Sequence, residues 1–481
     1  MSKKKDYKTW KINYTLSDEL TQEGGNGRVY FVYRDGERYA LKQLKEHFID
    51  ANTEIAKEKK CRFKREIDIV RKYEPQIGGI LPIIDFSIEY YWYVMPVAEP
   101  LLEHIKKNKN SMEEIVQFVI SLTEVLENLH QQGVSHRDIK PANIYFYEGQ
   151  PCFSDFGLVG FSERDIRHTK TNKGLGAIFT IAPEMKRNPK DADGKKADVF
   201  SMAKTLWMFL MNNELGFDGI YDRKDNVCSL SKSKLYRSEH LVELEALLRD
   251  ATENDPTCRP DIKGFRRRLQ EWLDIKRDMS KSQNSEWMFL SHLLFGEYTP
   301  TSASWTSCKM IANVLNEIGN LPVYNHMFLP SGGGMDFLKA EIAAEEDCLY
   351  IYVDPYDCYV VKPKILFFEG FNLDFRWNYF LLELEELSPV LDINNQECAE
   401  RVVEDYPGRY VSARYVQYGV YDYDTGEKYP EGAKCVNRYL RGKFLITEKI
   451  GPYNDMSAAY DARHNMCDSK ELKLRSCETV H

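Results

Sequence analysis

A polar segment at residues 136–143, with the sequence HRDIKPAN, constrains this chain of 481 residues more than any other feature. Twelve residues after its asparagine begins a second short motif, DFG at residues 155–157. Together they contain two carboxylates, an amide and a lysine, namely Asp138, Lys140, Asn143 and Asp155. Phosphoryl transfer needs such groups to orient a hydroxyl, neutralise phosphate charge and hold magnesium. The pattern therefore predicts a fold that brings both segments to one phosphoryl-transfer site.

A glycine cluster lies upstream, in the segment QEGGNGRV at residues 22–29. A β-rich run follows it, so the cluster is expected at a hairpin. Glycine lets backbone N–H groups approach a triphosphate, because a Cβ would block them and would penalise a positive φ. By itself the cluster is more typical of a plain hairpin turn than of a phosphate-binding loop.

A lysine and a glutamate complete the charged set. The segment YALK at residues 39–42 alternates like a strand and places Lys42 on its inward face. A buried ammonium needs an anion, and Glu66 lies in a helical pattern whose apolar positions share one face. We predict that Glu66 pairs with Lys42. Glu58, earlier on the same helix, is the alternative, although its position is more typical of a solvated face.

In order and spacing, these motifs resemble the eukaryotic-type (Hanks-type) serine/threonine protein kinases, as a bacterial-like soluble member. The resemblance implies an α+β, bilobal fold, with a small antiparallel β-lobe carrying one helix and a larger, mainly helical lobe. It also implies transfer of the γ-phosphate of ATP to serine and threonine hydroxyls of proteins, with Mg²⁺ as the cofactor and Mn²⁺ as an alternative.

The resemblance also assigns roles to individual residues. Catalytic roles fall to Asp138, Lys140, Lys42 and Glu66, and metal ligation to Asn143 and Asp155. The ATP-binding positions are Gln22, Gly24, Gly25, Gly27, Val29, Ala40, Lys42, Met95, Pro96 and Ala98. Of these, Met95, Pro96 and Ala98 would surround the adenine. The alternative for Met95 is an ordinary core residue, and the two interpretations are compatible.

Three further residues match structural landmarks of the family. Glu184, in the segment APE, is expected to pair with Arg259, and Asp198 to tie the catalytic-loop backbone to a helix. Arg137 suggests control by phosphorylation of the loop between Asp155 and Glu184, with autophosphorylation at Thr169 or Thr171. Ordinary polar loop residues are the alternative for both threonines.

Four positions depart from the family pattern. Gln22 replaces the first glycine of the phosphate loop, and Asn26, which tolerates left-handed backbone, stands at its tip. Ala177 stands where a threonine usually supports the catalytic aspartate, and Ala203 replaces a helix glycine. None removes a phosphate or metal ligand. Ala177 favours the alternative function, an ATP-binding pseudokinase that acts as sensor or scaffold for its C-terminal domain.

Composition limits the remaining functions. The net charge of −9 argues against a nucleic-acid surface, and no apolar run reaches the roughly 18 residues of a membrane helix. Eleven cysteines without CxxC spacing favour a reducing, cytoplasmic location.

The chain divides at changes of pattern. We predict an N-terminal tail at 1–12, a kinase domain at 13–275, a polar linker at 276–300 and a separate mixed α+β domain of unknown family at 301–481. In the last domain, residues 308–318 and 335–344 have helical patterns, and 349–353 and 359–361 read as strands. Its tyrosines suit either a partner surface or packing on a sheet. The kinase resemblance implies protein substrates as partners, and the C-terminal domain is a candidate surface for a second copy or another protein.

Overall fold

The computed structural model describes residues 10–23, 27–161, 175–328, 334–344, 346–353, 358–370, 378–385, 402–406, 409–412, 437–440 and 443–447. The chain forms two compact units. The first comprises Met1–Ser229 and Glu243–Asp274, and the second comprises Leu230–Val242 and Ile275–His481. Among the described residues, no helix is both long and apolar enough to cross a membrane.

The first unit begins with a five-stranded antiparallel sheet in the order β1-β2-β3-β5-β4. Its strands are β1 (Thr15–Glu23), β2 (Gly27–Arg34), β3 (Glu37–Leu44), β4 (Asp85–Ser87) and β5 (Trp92–Pro96). One face buries Val32, Leu41 and Val94 together with Trp10, whose carbonyl accepts from Trp92 Nε1 at 2.8 Å. Trp10 lies in the segment predicted as an N-terminal tail, but this hydrogen bond and its burial make it part of the core.

Two helices follow β3, namely α1 (Glu46–Ile49) and α2 (Glu54–Ile77). Thr53 caps α2, because its side chain accepts from the N–H of Ala56 at 3.2 Å. The apolar face of α2 packs against the sheet through Phe63 and Ile67. Since Glu66 adjoins these residues, the helix that carries it is fixed by hydrophobic packing.

The larger lobe of the first unit is mainly helical. Its helices are α3 (Leu101–Asn108), α4 (Met112–Gln131), α5 (Leu175–Thr180), α6 (Pro183–Arg187), α7 (Gly194–Leu210), α8 (Val242–Ala251) and α9 (Ile262–Lys276), the last two of which extend into the second unit. Its strands are β6 (Glu99–Pro100), β7 (Val134–Ser135), β8 (Ile144–Tyr147), β9 (Gln150–Phe153) and β10 (Gly160–Phe161). Ser111 and Glu114 form a reciprocal capping box at the start of α4. The lobe is therefore mainly helical, as predicted, and its described strands form two small sheets.

The segment predicted as a linker is largely helical. Helix α10 spans Met279–Phe295, and Asp278 caps it by accepting from the N–H groups of Ser280 and Lys281. Its Leu290 is fully buried in the core of the second unit. The prediction of a linker was therefore wrong. The first turns of α10 are polar, and its apolar face packs against residues that are distant in sequence, so the local pattern did not indicate a helix.

The described residues of the second unit form two six-stranded sheets, ordered β11-β17-β18-β22-β12-β13 and β14-β15-β16-β21-β20-β19. The strands are β11 (Ser302–Trp305), β12 (His326–Phe328), β13 (Gly334–Asp336), β14 (Lys339–Ile342), β15 (Leu349–Tyr352), β16 (Cys358–Val361), β17 (Pro363–Glu369), β18 (Tyr379–Leu384), β19 (Val402–Tyr406), β20 (Arg409–Ser412), β21 (Asn437–Leu440) and β22 (Lys443–Thr447). Helix α11 (Cys308–Gly319) contributes Ile311, Leu315 and Ile318 to their common core.

The predicted helix at 308–318 and the strands near 350 and 360 are present. Residues 335–344, predicted to be helical, instead contain most of β13 and all of β14. Ala340 pairs with Ile351 in β15, so strand pairing decides the conformation of this segment.

Candidate active site

Strand β3 and helix α2 bring the predicted ion pair together. Lys42 Nζ lies 2.8 Å from Glu66 Oε1 and 3.0 Å from Oε2, and only 4% of the Glu66 side chain is exposed. Burial alone would lower the pKa of Lys42, but the carboxylates of Asp155 and Glu66 raise it well above its ordinary value. The alternative partner, Glu58, instead pairs with Arg62 at 2.6 Å. Lys42 is therefore held as a cation on the inner face of the sheet.

Tyr93 is a member of this cluster that the sequence did not reveal. Its hydroxyl donates to Glu66 Oε1 at 2.8 Å, and it lies opposite Lys42 in the pairing of β3 with β5. Burial and the Glu66 carboxylate raise the pKa of Tyr93 well above its ordinary value, which keeps the phenol protonated. Strand alternation alone could have placed Tyr93 on the same face as Lys42, but not beside Glu66.

The segment 136–143 gathers three of the predicted residues. Lys140 Nζ lies 3.0 Å from Oδ1 and 2.8 Å from Oδ2 of Asp138, and Asn143 Nδ2 donates to Asp138 Oδ2 at 2.9 Å. Burial raises the pKa of Asp138, while Lys140 opposes that rise. The carboxylate of Asp138 is thus fixed in direction by a cation and an amide.

Asp198, on α7, anchors the backbone of this loop. Its Oδ1 accepts from the N–H of Arg137 at 2.7 Å, and its Oδ2 accepts from the N–H of His136 at 2.7 Å. His130 Nε2 lies 2.9 Å from the same Oδ2. Arg137 has a φ of 66°, a conformation that non-glycine residues seldom adopt. Two hydrogen bonds to a fully buried carboxylate hold this strained backbone in place.

Asp155 interacts electrostatically both with Lys42 on the sheet and with Lys140 in the segment 136–143. Its Oδ1 lies 3.4 Å from Lys42 Nζ, and 42% of its side chain is exposed. Burial alone would raise its pKa, but Lys42 and Lys140 outweigh that effect and hold the pKa of Asp155 below its ordinary value. Asp155 therefore remains an anion beside the sheet lysine.

The residues present fit a magnesium ion. Both hydrogen bonds of the Asn143 amide use Nδ2, so its Oδ1 accepts none from the described residues. Asp155 uses Oδ1 to contact Lys42, which leaves its second oxygen, Oδ2, for a metal ion. The described part of the chain contains no group of three or more His, Cys, Asp or Glu residues that could hold a metal. Two oxygen ligands from the protein are typical of Mg²⁺ that also binds substrate phosphates. Asn143 and Asp155 would hold such an ion.

The described nucleotide-binding candidates lie on and after the sheet. Val29 pairs with Lys42 across β2 and β3, and Ala40 pairs with Met95 across β3 and β5. Pro96 ends β5, and Ala98 follows it. Val29 is thus the cross-strand neighbour of Lys42, while Pro96 and Ala98 lie at and beyond the end of β5.

The glycine turn is described only in part. Gln22 lies in β1, and Gly27 begins β2, where a Cβ would come 2.9 Å from the carbonyl oxygen of Gln43. A side chain at this position would therefore collide with the backbone of the neighbouring strand, which explains why Gly27 is a glycine. Gly24 and Gly25 lie outside the described residues, as do Thr169 and Thr171.

The predicted landmark pair of the larger lobe is present. Arg259 donates from Nη1 and Nη2 to the two carboxylate oxygens of Glu184, at 2.6 and 2.9 Å. Its Nε donates to the carbonyl of Glu253 at 2.7 Å, and none of its side chain is exposed. This buried, bidentate pair ties α6 to the segment that precedes α9.

Comparison with known proteins identifies a family match in residues 17–275. The family model described as protein kinase domain matches residues 17–275. Serine/threonine-protein kinase AfsK of Streptomyces griseus is 28% identical over 202 residues, which are 41% of this chain and 24% of that protein. CBL-interacting protein kinase 28 of Oryza sativa subsp. japonica is 27% identical over 267 residues, 53% of this chain and 58% of that protein.

A solved structure, the kinase domain of PknI of Mycobacterium tuberculosis, is 21% identical and covers 54% of this chain and 95% of that chain, with a TM-score of 0.39. The matches with the two curated relatives each span less than two thirds of the relative's length.

Proposed function

This chain belongs to the protein kinase family, and from that membership we propose that it is a serine/threonine kinase that transfers the γ-phosphate of ATP to hydroxyl groups of protein substrates. The observation that carries the proposal is the contact of Lys42 with both Glu66 and Asp155. These three residues come from a strand, a helix and a loop, so the fold brings a cation between two carboxylates that are distant from it in the sequence. This arrangement is suited to a site that receives polyphosphate and a metal ion.

The roles follow from the charges. Asp138, held by Lys140, would orient the acceptor hydroxyl and take its proton, and Lys140 would neutralise charge on the phosphate in transfer. Lys42 would bind the non-transferred phosphates, with Glu66 fixing its position. When bound to Asn143 and Asp155, magnesium would neutralise phosphate oxygens and fix their geometry.

The nucleotide base would lie at the end of β5. There Ala40 and Met95 are paired neighbours, and the half-buried Met95 side chain offers apolar surface to a purine. Pro96 contributes only a carbonyl, so its missing N–H costs nothing, and Ala98 has both backbone groups available to an adenine. The glycine turn that includes Gly24 and Gly25 would cover the phosphates.

We further propose that the acceptors are serine and threonine, because Lys140 two residues beyond Asp138 resembles the serine/threonine branch. Thr169 and Thr171 are the proposed sites of autophosphorylation, and Arg137 would pair with the new phosphate. Mass spectrometry of the protein after incubation with ATP tests this point. Phosphate on either threonine in the wild type, and on neither in Asp138→Asn, is the expected result.

Activity is tested with the pure full-length chain, labelled ATP, Mg²⁺ and a generic basic protein substrate. Asp138→Asn should lower turnover at least about 10²-fold, the scale of removing a general base. Equal incorporation by wild type and variant would defeat the catalytic proposal. ATP binding without turnover by either would instead establish the pseudokinase alternative, in which the second unit acts as sensor or scaffold.

We propose a cytoplasmic location, because eleven cysteines without CxxC spacing are typical of proteins in a reducing compartment. We also propose that the second unit binds protein substrates or a second copy of the chain. Light scattering of the full-length chain over a range of concentrations tests the second copy.

A further inference from the structure

Tyr93 contacts both members of the buried ion pair. It stands opposite Lys42 in the pairing of β3 and β5, so the two side chains leave the sheet on the same face. Its ring centroid lies 5.5 Å from Lys42 Nζ, and its hydroxyl reaches Glu66. Only 4% of Tyr93 is exposed, so water contributes little to this arrangement.

The hydrogen bonds of Glu66 show what Tyr93 adds. Lys42 Nζ donates to both oxygens, at 2.8 and 3.0 Å, and Tyr93 provides the one further donor, to Oε1, among the described residues. A single flexible lysine could hold the carboxylate over a range of directions. A second donor from a rigid strand restricts it to one, because the phenol cannot follow the carboxylate far.

The same ring also holds the helix. Phe63, three residues before Glu66 on α2, packs on Tyr93 with ring centroids 5.4 Å apart. One face of Tyr93 thus fixes α2 by apolar packing, while its hydroxyl fixes the carboxylate that α2 presents. A tyrosine that served only as core would need the packing and some hydrogen-bond acceptor, but not the carboxylate that pairs with Lys42.

We propose that Tyr93 is a positioning residue, whose hydroxyl holds Glu66 in the direction that keeps Lys42 aimed at the phosphates of ATP. This inference rests on the proposed kinase activity, in which Lys42 binds the nucleotide. Tyr93 would act through Glu66 and would not touch the nucleotide itself.

The test compares Tyr93→Phe with Tyr91→Phe. Tyr91 is the matched control because its ring also packs on Phe63, at 6.3 Å, while its hydroxyl has no hydrogen-bond partner among the described residues. Loss of a hydrogen bond to a charged group should raise the KM for ATP about tenfold in Tyr93→Phe, with the KM for the protein substrate unchanged. Partial unfolding would instead lower the apparent kcat alone, because it reduces the amount of active enzyme.

Hydrogen exchange of the α2 amides provides a second readout that needs no activity. In Tyr93→Phe the amides around Glu66 should exchange about tenfold faster than in the wild type, and in Tyr91→Phe at the wild-type rate. An unchanged KM for ATP together with unchanged exchange in Tyr93→Phe would overturn the inference. If the wild type neither binds nor turns over ATP, the proposed function fails, and the exchange rates alone then decide whether Tyr93 holds Glu66.

Discussion

Lys140 Nζ donates to both carboxylate oxygens of Asp138, at 3.0 Å from Oδ1 and 2.8 Å from Oδ2. About a fifth of each side chain is exposed, 21% for Lys140 and 17% for Asp138. The pair is therefore mostly shielded from water, where a charge–charge contact is stronger than at the surface. In the proposed reaction the lysine would exchange part of this contact for the phosphate in transfer.

Lys140→Met should lower kcat by about 10²- to 10³-fold, the loss seen when one donor to a developing charge is removed. The KM for ATP should change by less than about threefold, because Lys42 rather than Lys140 would bind the nucleotide in the ground state. Steady-state kinetics with varied ATP separate the two constants. A KM increase as large as the kcat decrease would show that Lys140 acts in binding.

Arg259→Met should lower the free energy of unfolding by about 3–5 kcal/mol, because it leaves the Glu184 carboxylate and the Glu253 carbonyl unpaired beneath the surface. Urea denaturation measures the change. The matched control is Arg267→Met, since 71% of the Arg267 side chain is exposed and its pair with Glu271 is 3.5 Å long. That control should stay within about 0.5 kcal/mol of wild type, and equal losses in both variants would contradict the assigned importance of the buried pair.

Asp198→Asn should destabilise the first unit by about 3 kcal/mol and lower kcat, because an amide has one acceptor oxygen for the two N–H groups of His136 and Arg137. The NH₂ group of the substituted side chain would face one of these two N–H donors and could not accept its hydrogen bond. Urea denaturation and kinetics on the same preparation test both effects. Asp218→Asn, at an exposed carboxylate, is the control and should leave stability and kcat unchanged.

Lys204→Met should change the pH dependence of stability. Burial lowers the pKa of Lys204 to about 7, from an ordinary value of 10.5. Between these values the unfolded chain binds more protons than the folded one, so the stability of the wild type relative to the variant should rise with pH from 7 towards 10.5. Below pH 7 both states are protonated, and the difference should be constant.

Melting temperatures of wild type and Lys204→Met at intervals from pH 6 to pH 9.5 check this prediction. A difference that stays constant over the whole range would show that the lysine remains charged. In that case its hydrogen bonds to the carbonyls of Phe217 and Gly219 would outweigh the cost of burial.

Glu286→Ala should destabilise the second unit by about 3–5 kcal/mol. The fully buried carboxylate accepts from the N–H of Val323 at 3.0 Å and lies 2.9 Å from His240 Nδ1, so its removal leaves both groups without that acceptor. Hydrogen exchange should accelerate in β11 and α11 and remain unchanged in α2. Acceleration confined to α10 would show that the pair supports only its own helix.

Local patterns were sufficient for much of the site. Asp138, Lys140 and Asn143 lie within six residues, so one loop conformation is enough to bring them together. The apolar face of α2 selected Glu66 over Glu58, because only a residue beside that face can reach a lysine on the sheet. Such relationships depend on neighbours in the chain or on the periodicity of one element.

Other features depended on contacts between distant segments. Tyr93 is an ordinary strand residue in sequence, and it reaches Glu66 only because α2 packs over β5. Trp10 joined the core for the same kind of reason, through Tyr30 and the indole of Trp92.

The order and spacing of the charged motifs predicted the kinase fold and the residues of the proposed site, because together they satisfy the requirements of phosphoryl transfer. Contacts between distant segments, by contrast, account for helix α10 in the predicted linker and for the strands within residues 335–344. In both segments the local propensity was weak or misleading. Burial of Leu290 and pairing of Ala340 with Ile351 outweighed it, and these contacts join residues that the sequence separates.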